Sequence, residues 1–261
     1  MMPRNVKVKP VRRKAVPLAG YLMPVPLRQH ERARGNLNAV QMTSAGMRAG
    51  FAHSWLQARG FFIDNSAPRE NLFEDPRPLL TWPFLDFVST LELSEVDLVE
   101  LGAGSSTIFF SKKFRSLRSF ENDHAWARAL EARLASNVSL HRFSGERLDP
   151  ALVAVEADEW LLIDFAGKRT RFIKELLEHQ KSAALPAVVI LDNADWYRNG
   201  AELLRDAGYT ELPFFGLKSG QTWASCTSFF FLPSRLRLEF AQPFRLPVFS
   251  RPRTHPWDSV K

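Results

Sequence analysis

Short apolar runs alternate with helix-period stripes from residue 96 to residue 232, and this alternation restricts the fold more than any other feature of the chain. Residues 96–101 form an apolar run ending in a glycine-rich turn. Residues 117–120 form a second, ending at Glu121, and 138–143 a third. Residues 160–163 form a fourth, ending at Asp164, and 187–191 a fifth, ending at Asp192. Runs this short, bounded by turn residues, read as buried strands. Between them, residues 105–114 read as a helix. Trp126, Ala129, Leu130 and Leu134 recur along one helical face, as do Phe172, Ile173, Leu176 and Leu177, and residues 195–207 form a further helix that stops at Gly208. Strands separated by helices imply a parallel sheet covered on both faces. Residues 209–215 and 227–232 are two more strands with no helix between them, so the last can fold back as a hairpin partner. The expected fold is α/β and Rossmann-like: a mostly parallel seven-stranded sheet with an antiparallel last strand and helices on both faces.

The rest of the chain divides by composition. Residues 1–35 read as a basic arm, disordered or weakly attached to an acidic partner or membrane surface. They carry Arg4, Lys7, Lys9, Arg12, Arg13, Lys14, Arg28, Arg32 and Arg34 against the single acid Glu31. The formal charge of +7 thus comes from the arm, on a nearly neutral body. A nucleic-acid-binding domain concentrates such charge on its folded surface, so no strong nucleic-acid signal is present. Residues 36–92 form a helical segment: a proline-free helix over 36–59 ended by Gly60, a loop over 64–78, and a helix over 83–91 with Pro83 in its first turn. Residues 93–233 form the ligand-binding domain, and 234–261 a basic, proline-rich extension without an assigned role. Residues 15–27 are apolar but broken by Pro17, Pro24 and Pro26, too short to span a bilayer. Cys226 is the only cysteine, which excludes an intrachain disulfide and favours a reducing, cytoplasmic setting. The sequence leaves the oligomeric state open.

In open α/β sheets, ligands lie beyond the carboxyl ends of the strands. Glu100-Leu101-Gly102-Ala103-Gly104-Ser105-Ser106-Thr107 puts two glycines at the first such end. Thr107 stands where a dinucleotide fingerprint has its third glycine, so the turn is not fitted to a pyrophosphate. It favours a ligand without phosphates, such as S-adenosylmethionine (SAM), whose cationic amino end Glu100 can face. Glu121, about twenty residues on, can accept hydrogen bonds from both hydroxyls of a ribose. Asp123 is an alternative for that role, or the cap of the next helix.

With these residues the chain resembles a group of bacterial class I SAM-dependent methyltransferases, mostly of unassigned substrate. The resemblance covers residues 55–231. It rests on Leu80-Thr81-Trp82-Pro83, residues 100–107, Ser119 to Asp123 followed by Trp126, and Leu191-Asp192-Asn193-Ala194-Asp195-Trp196-Tyr197. It continues through Gly220-Gln221-Thr222-Trp223 and Thr227-Ser228-Phe229-Phe230-Phe231. Phe165 departs from it, standing where a glycine is expected after Asp164. The resemblance implies SAM as cofactor, bound by Glu100, Gly102, Ala103, Gly104, Ser105, Ser106, Thr107, Glu121, Asn122 and Asp164.

Catechol-type O-methyltransferases carry an Asp after the fourth strand and an Asp-Asn pair after the fifth, and hold Mg²⁺ with them. By that similarity Asp164, Asp192 and Asn193 are candidate Mg²⁺ ligands, set against the plain turn chemistry that Asp-Asn also serves. Asp164 is the first candidate for catalytic base or acceptor anchor, ahead of Lys168 and His141. Trp82, Trp196 and Trp223 are candidate walls of a substrate pocket, with Tyr197 beside them. The expected activity is methyl transfer from SAM to an unidentified acceptor, such as an oxygen of a small molecule or sugar. The alternative is a non-catalytic SAM-binding or scaffold protein of the same fold. The polar residues kept at four strand ends favour the enzyme, and an Asn-Pro-Pro-Tyr-like amine-methylating motif is absent from the sequence.

Overall fold

The computed structural model describes residues 44–63, 73–180 and 184–241. The expected arm over 1–35 and most of the extension lie outside the described residues. The elements in chain order are α1 (Ser44–Ala58), α2 (Trp82–Ser89), β1 (Leu91–Glu92), β2 (Asp97–Leu101), α3 (Ser105–Phe110), β3 (Ser116–Glu121), α4 (His124–Glu131), β4 (Val138–Arg142) and α5 (Pro150–Val153). They continue with β5 (Trp160–Ile163), α6 (Arg169–His179), β6 (Val188–Asp192), α7 (Arg198–Asp206), β7 (Thr210–Gly216), β8 (Ser225–Phe231) and β9 (Glu239–Phe240).

Seven strands form one sheet in the order β4-β3-β2-β5-β6-β8-β7. The pairs β2–β3, β2–β5, β3–β4 and β5–β6 are parallel, whereas β8 runs antiparallel to both β6 and β7. Each parallel step needs a crossover, and α3, α4 and α6 lie in the β2–β3, β3–β4 and β5–β6 connections, while α7 joins β6 to the edge strand β7. The chain between β7 and β8 is too short for one, so β8 inserts as a hairpin strand, as the sequence implies.

Period-two alternation sorts the central strands between two cores. Val99, Leu101, Leu161, Ile163, Val189 and Leu191 face the core that includes Phe172, Ile173 and Leu204 of α6 and α7. Leu98, Trp160, Leu162, Val188 and Ile190 face the core that includes Phe84 and Val88 of α2 and Phe110 of α3. Both faces are covered, which explains why these strands read as continuous apolar runs rather than as half-buried alternation. Glu100 is the polar exception. It sits one residue from Val99 and Leu101, on the Leu98 side of the sheet, and is completely buried.

The described chain divides into compact units after Ala58, so α1 belongs to one and residues 59–63 and 73–92 to the sheet unit. The reason is visible in the contacts of residues 80–84. Thr81 N donates to Thr227 Oγ1 at 3.0 Å, Trp82 N donates to Leu217 O at 2.9 Å, and Leu80 and Phe84 are fully buried in the α2 core. The extension after 233 is also tied in, since β9 pairs antiparallel with β1 through Leu91 and Phe240. Two-residue strands are too short to leave a periodic signal.

Candidate functional site

Gly102 ends β2 and turns with φ of +98°. Its amide donates to Phe120 O at 2.8 Å, while Leu101 O accepts from Asp164 N at 2.8 Å. The turn is therefore wedged between the ends of β3 and β5. A Cβ on Gly102 would lie 2.7 Å from the backbone of Asp164 and Phe165. Glycine is required here by the neighbouring strand as well as by the positive φ. Gly104 differs: its backbone is extended, and a Cβ would meet the Trp126 ring at 3.4 Å, close to ordinary contact.

The turn is braced from beneath. Thr107 Oγ1 accepts from Gly104 N at 2.8 Å and donates to Glu100 Oε2 at 2.5 Å, and Ser119 Oγ donates to the same oxygen at 2.8 Å. Burial pushes the Glu100 carboxyl up to about 7, against the hydroxyls of Ser106, Thr107 and Ser119 that favour its charged form. Glu100 and Thr107 thus shape the turn from behind and do not reach the cavity wall.

That wall encloses a cavity of about 420 Å³ at the carboxyl ends of β2, β3 and β5. Gly102, Ala103, Gly104, Ser105 and Ser106 form its floor, with Glu121 and Asp164 at its sides. Glu121 Oε1 accepts from Asp123 N at 2.6 Å. Burial raises its pKa, opposed by the backbone amides of Asp123 and Asn122. Asn122 turns away: its amide donates to Gly145 O at 2.9 Å and Ala166 O at 3.0 Å, joining the loops after β4 and β5.

Sequence reading missed part of this wall. Trp126 lines the cavity with its indole N–H donating to Ala103 O at 2.7 Å and its ring edge-on to Phe73 at 4.9 Å. The helical stripe marked it as apolar, but only the cap places it. Asp123, which the sequence offers as a ribose acceptor or a helix cap, is the N-cap of α4, accepting from Ala125 N and Trp126 N at 2.9 Å each, and it lines the cavity too. The outer wall is made by Ile63, Asp75, Arg77 and Leu79, from a proline-rich stretch with no period to read.

The strand-end acids come together, but with cations among them. Asp164 Oδ1 accepts from Arg169 Nη2 at 2.9 Å. Arg169 is buried and also donates to Asp164 O, Phe165 O and Asp192 O, each at 2.8 Å, with its guanidinium 4.8 Å from the centre of the Tyr197 ring. Asp192 is buried in an ion pair with Lys218 and accepts from Thr227 Oγ1 at 2.6 Å. Asn193 holds φ of +55°. With its amide oriented to match its neighbours, it donates to Asp192 Oδ2 at 2.8 Å and accepts from Ser225 Oγ at 3.0 Å and Lys218 Nζ at 3.1 Å. Burial, then Asp192, raises the Asp164 carboxyl to about 7, while Arg169 and Lys218 pull it down.

This corrects two expectations. Asp164, Asp192 and Asn193 do not fit a Mg²⁺ site, because the Lys218 ammonium lies against Asp192 Oδ2 and the Asn193 oxygen and the Arg169 guanidinium holds Asp164 Oδ1. Among the described residues no group of three or more His, Cys, Asp or Glu side chains could hold a metal ion. Nor do the three tryptophans wall the cavity. Trp82, the first residue of α2, is 4% exposed with its ring against Phe61, and Trp196 and Trp223 are 65% and 52% exposed outside the cavity lining. Aromatic rings in connections are as free to seal a core or face solvent as to line a pocket, and sequence does not distinguish these.

No helix among the described residues is long and apolar enough to cross a membrane. No protein family matches the sequence, and no curated protein matches it. Solved structures do. An O-methyltransferase from Bacillus cereus in complex with S-adenosylhomocysteine (SAH) is 15% identical, over 69% of this chain and 98% of that one, with a TM-score of 0.47. A precorrin-6y C5,15-methyltransferase from Geobacter metallireducens is 16% identical, over 63% and 97%, with a TM-score of 0.44. An rRNA methylase from Streptococcus thermophilus is 16% identical, over 59% and 99%, with a TM-score of 0.41. The sheet order, with β8 inserted antiparallel between β6 and β7, gives this chain a Rossmann-like α/β fold built on a mostly parallel seven-stranded sheet.

Proposed function

We propose that this chain is a methyltransferase that binds SAM in the cavity at the ends of β2, β3 and β5. The observation that carries the reading is the convergence of the Gly102–Ser106 turn, Glu121 and Asp164 on one cavity of about 420 Å³. That volume is in the range of small-molecule and cofactor sites. The residues fit the cofactor: a turn whose backbone is open to a ligand, an acid placed to accept from a ribose, and the Trp126 ring as an apolar surface for a base. Bound SAM supplies a methyl carbon made electrophilic by its sulfonium. The protein's part is then to align an acceptor with that carbon.

Asp164 is the residue for the acceptor side. It lines the cavity, and its carboxyl, pushed up to about 7, can take a proton near neutral pH. Arg169 fixes one of its oxygens. Such a base suits an acceptor that must lose a proton as it is methylated, such as a hydroxyl of a small molecule or sugar. The lone, buried Cys226 agrees with a reducing, cytoplasmic setting.

The test is transfer of label from methyl-labelled SAM to a panel of hydroxylated small molecules and sugars, by wild type and by Asp164→Asn. The asparagine keeps an oxygen for Arg169 but cannot act as a base. Turnover should fall by roughly 100-fold or more while SAH affinity stays within a few-fold. Unchanged turnover in Asp164→Asn would remove Asp164 from the chemistry.

A further inference from the structure

Asp164 follows β5 and Asp192 ends the neighbouring β6, close enough that the Asp192 charge disfavours the charge on Asp164. Asp192 is almost fully buried, where an uncompensated carboxylate is costly. In oxygen-ligated metal sites a divalent cation offsets that charge and fixes the ligands. Here the chain brings its own cations. Lys218, from the connection between β7 and β8, is 2% exposed and ion-paired with Asp192, within 3.1 Å of the Asn193 oxygen. Arg169, from the start of α6, holds the Asp164 carboxylate and three backbone carbonyls at the ends of β5 and β6.

We infer that Lys218 and Arg169 are positioning residues that stand in place of a divalent cation at these strand ends, so that ligand binding and methyl transfer by this chain need no metal. The inference rests on the SAM reading above and specifies its chemistry. Lys218 reaches further than its own ion pair. On either side of it, Leu217 O accepts from Trp82 N, Ser219 Oγ donates to Arg59 O at 3.0 Å, and Gly220 N donates to Gly60 O at 2.9 Å. The segment so tied runs on to Ile63, part of the cavity's outer wall. The ammonium on Asp192 therefore anchors the connection that holds that wall, although Lys218 does not itself line the cavity.

The experiment compares melting temperature and SAH affinity of the full-length protein in EDTA, in MgCl₂ and in MnCl₂, for wild type and Lys218→Ala. Wild type should show the same melting temperature and the same affinity in all three. Lys218→Ala should melt several degrees lower and bind SAH more weakly in EDTA. It should regain part of both with Mn²⁺ or Mg²⁺, because removing the ammonium leaves a group of oxygens with room for a cation. A general loss of packing would not be repaired by metal. Should Lys218→Ala fail to fold, the double variant Asp192→Asn/Lys218→Met removes the charges together and should melt higher than Asp192→Asn alone. Saturable stabilisation of wild type by either metal, or loss of its SAH binding in EDTA, would overturn the inference, as would a Lys218→Ala protein indifferent to both the mutation and metal. SAH binding to wild type in none of the three buffers would instead count against the functional reading, with the melting temperatures still deciding the role of the cations.

Discussion

Glu100 shows how one residue can be legible in type and misjudged in task. The sequence marks an acid before a glycine turn and assigns it to the ligand's amino end. The structure puts it behind the turn, fully buried, with Thr107 and Ser119 on one oxygen. Its role in folding follows from its raised pKa. The folded state holds the proton up to about 7, whereas the exposed side chain releases it near 4.5. An acid shifted upward stabilises the fold fully below the lower value and loses that contribution as pH rises through the higher one. The loss across the interval is about 3 kcal/mol. Glu100→Gln keeps an oxygen to accept both hydroxyls but has nothing to ionise. Wild type should therefore lose stability relative to Glu100→Gln between pH 4.5 and pH 8, with the variant the more stable at pH 8. The raised Asp164 is present in both proteins, and the part of its rise that comes from the Glu100 charge works in the same direction as the Glu100 difference. Melting curves that stay parallel across that range would show that Glu100 is not the buried acid described.

Among the elements, the strands were legible and the ligand-facing connections only in part. Every central strand is an apolar run because both of its faces are buried, so β2, β5 and β6 could be located from composition alone. The antiparallel β8 followed from the missing crossover. The outer wall at residues 63 and 75–79 could not be read, because a proline-rich loop has neither period nor cap. The cations at the strand ends were out of reach for a different reason: Lys218 lies 26 residues from Asp192 in sequence, and only the insertion of β8 brings them together. The turn after β2 was legible as a motif, and the structure adds its cause. Gly102 faces strand backbone, whereas Gly104 faces the Trp126 ring and the cavity. The two glycines should thus separate fold from ligand. Gly102→Ala should lower the melting temperature by several degrees, through strain at positive φ and contact with Asp164. Gly104→Ala should melt near wild type yet bind SAH several-fold more weakly. The reverse pattern in calorimetry would mean that the turn is held by something other than the ends of β3 and β5.

At the scale of the whole molecule, the sheet unit from Arg59 onward holds every residue of the cavity. The topology puts the carboxyl ends of β2, β3 and β5 side by side. The sequence supplies each with a polar residue, and α4, capped by Asp123, brings Trp126 over the turn. The account's central claim is that this cavity is a SAM site. Isothermal titration of the full-length protein with SAH, in buffer containing EDTA, tests it most directly. The account predicts one molecule bound per chain with micromolar affinity, about −8 kcal/mol, weakened by Gly104→Ala and unaffected by Mg²⁺. A folded wild-type protein that takes up no SAH at millimolar concentration would contradict it.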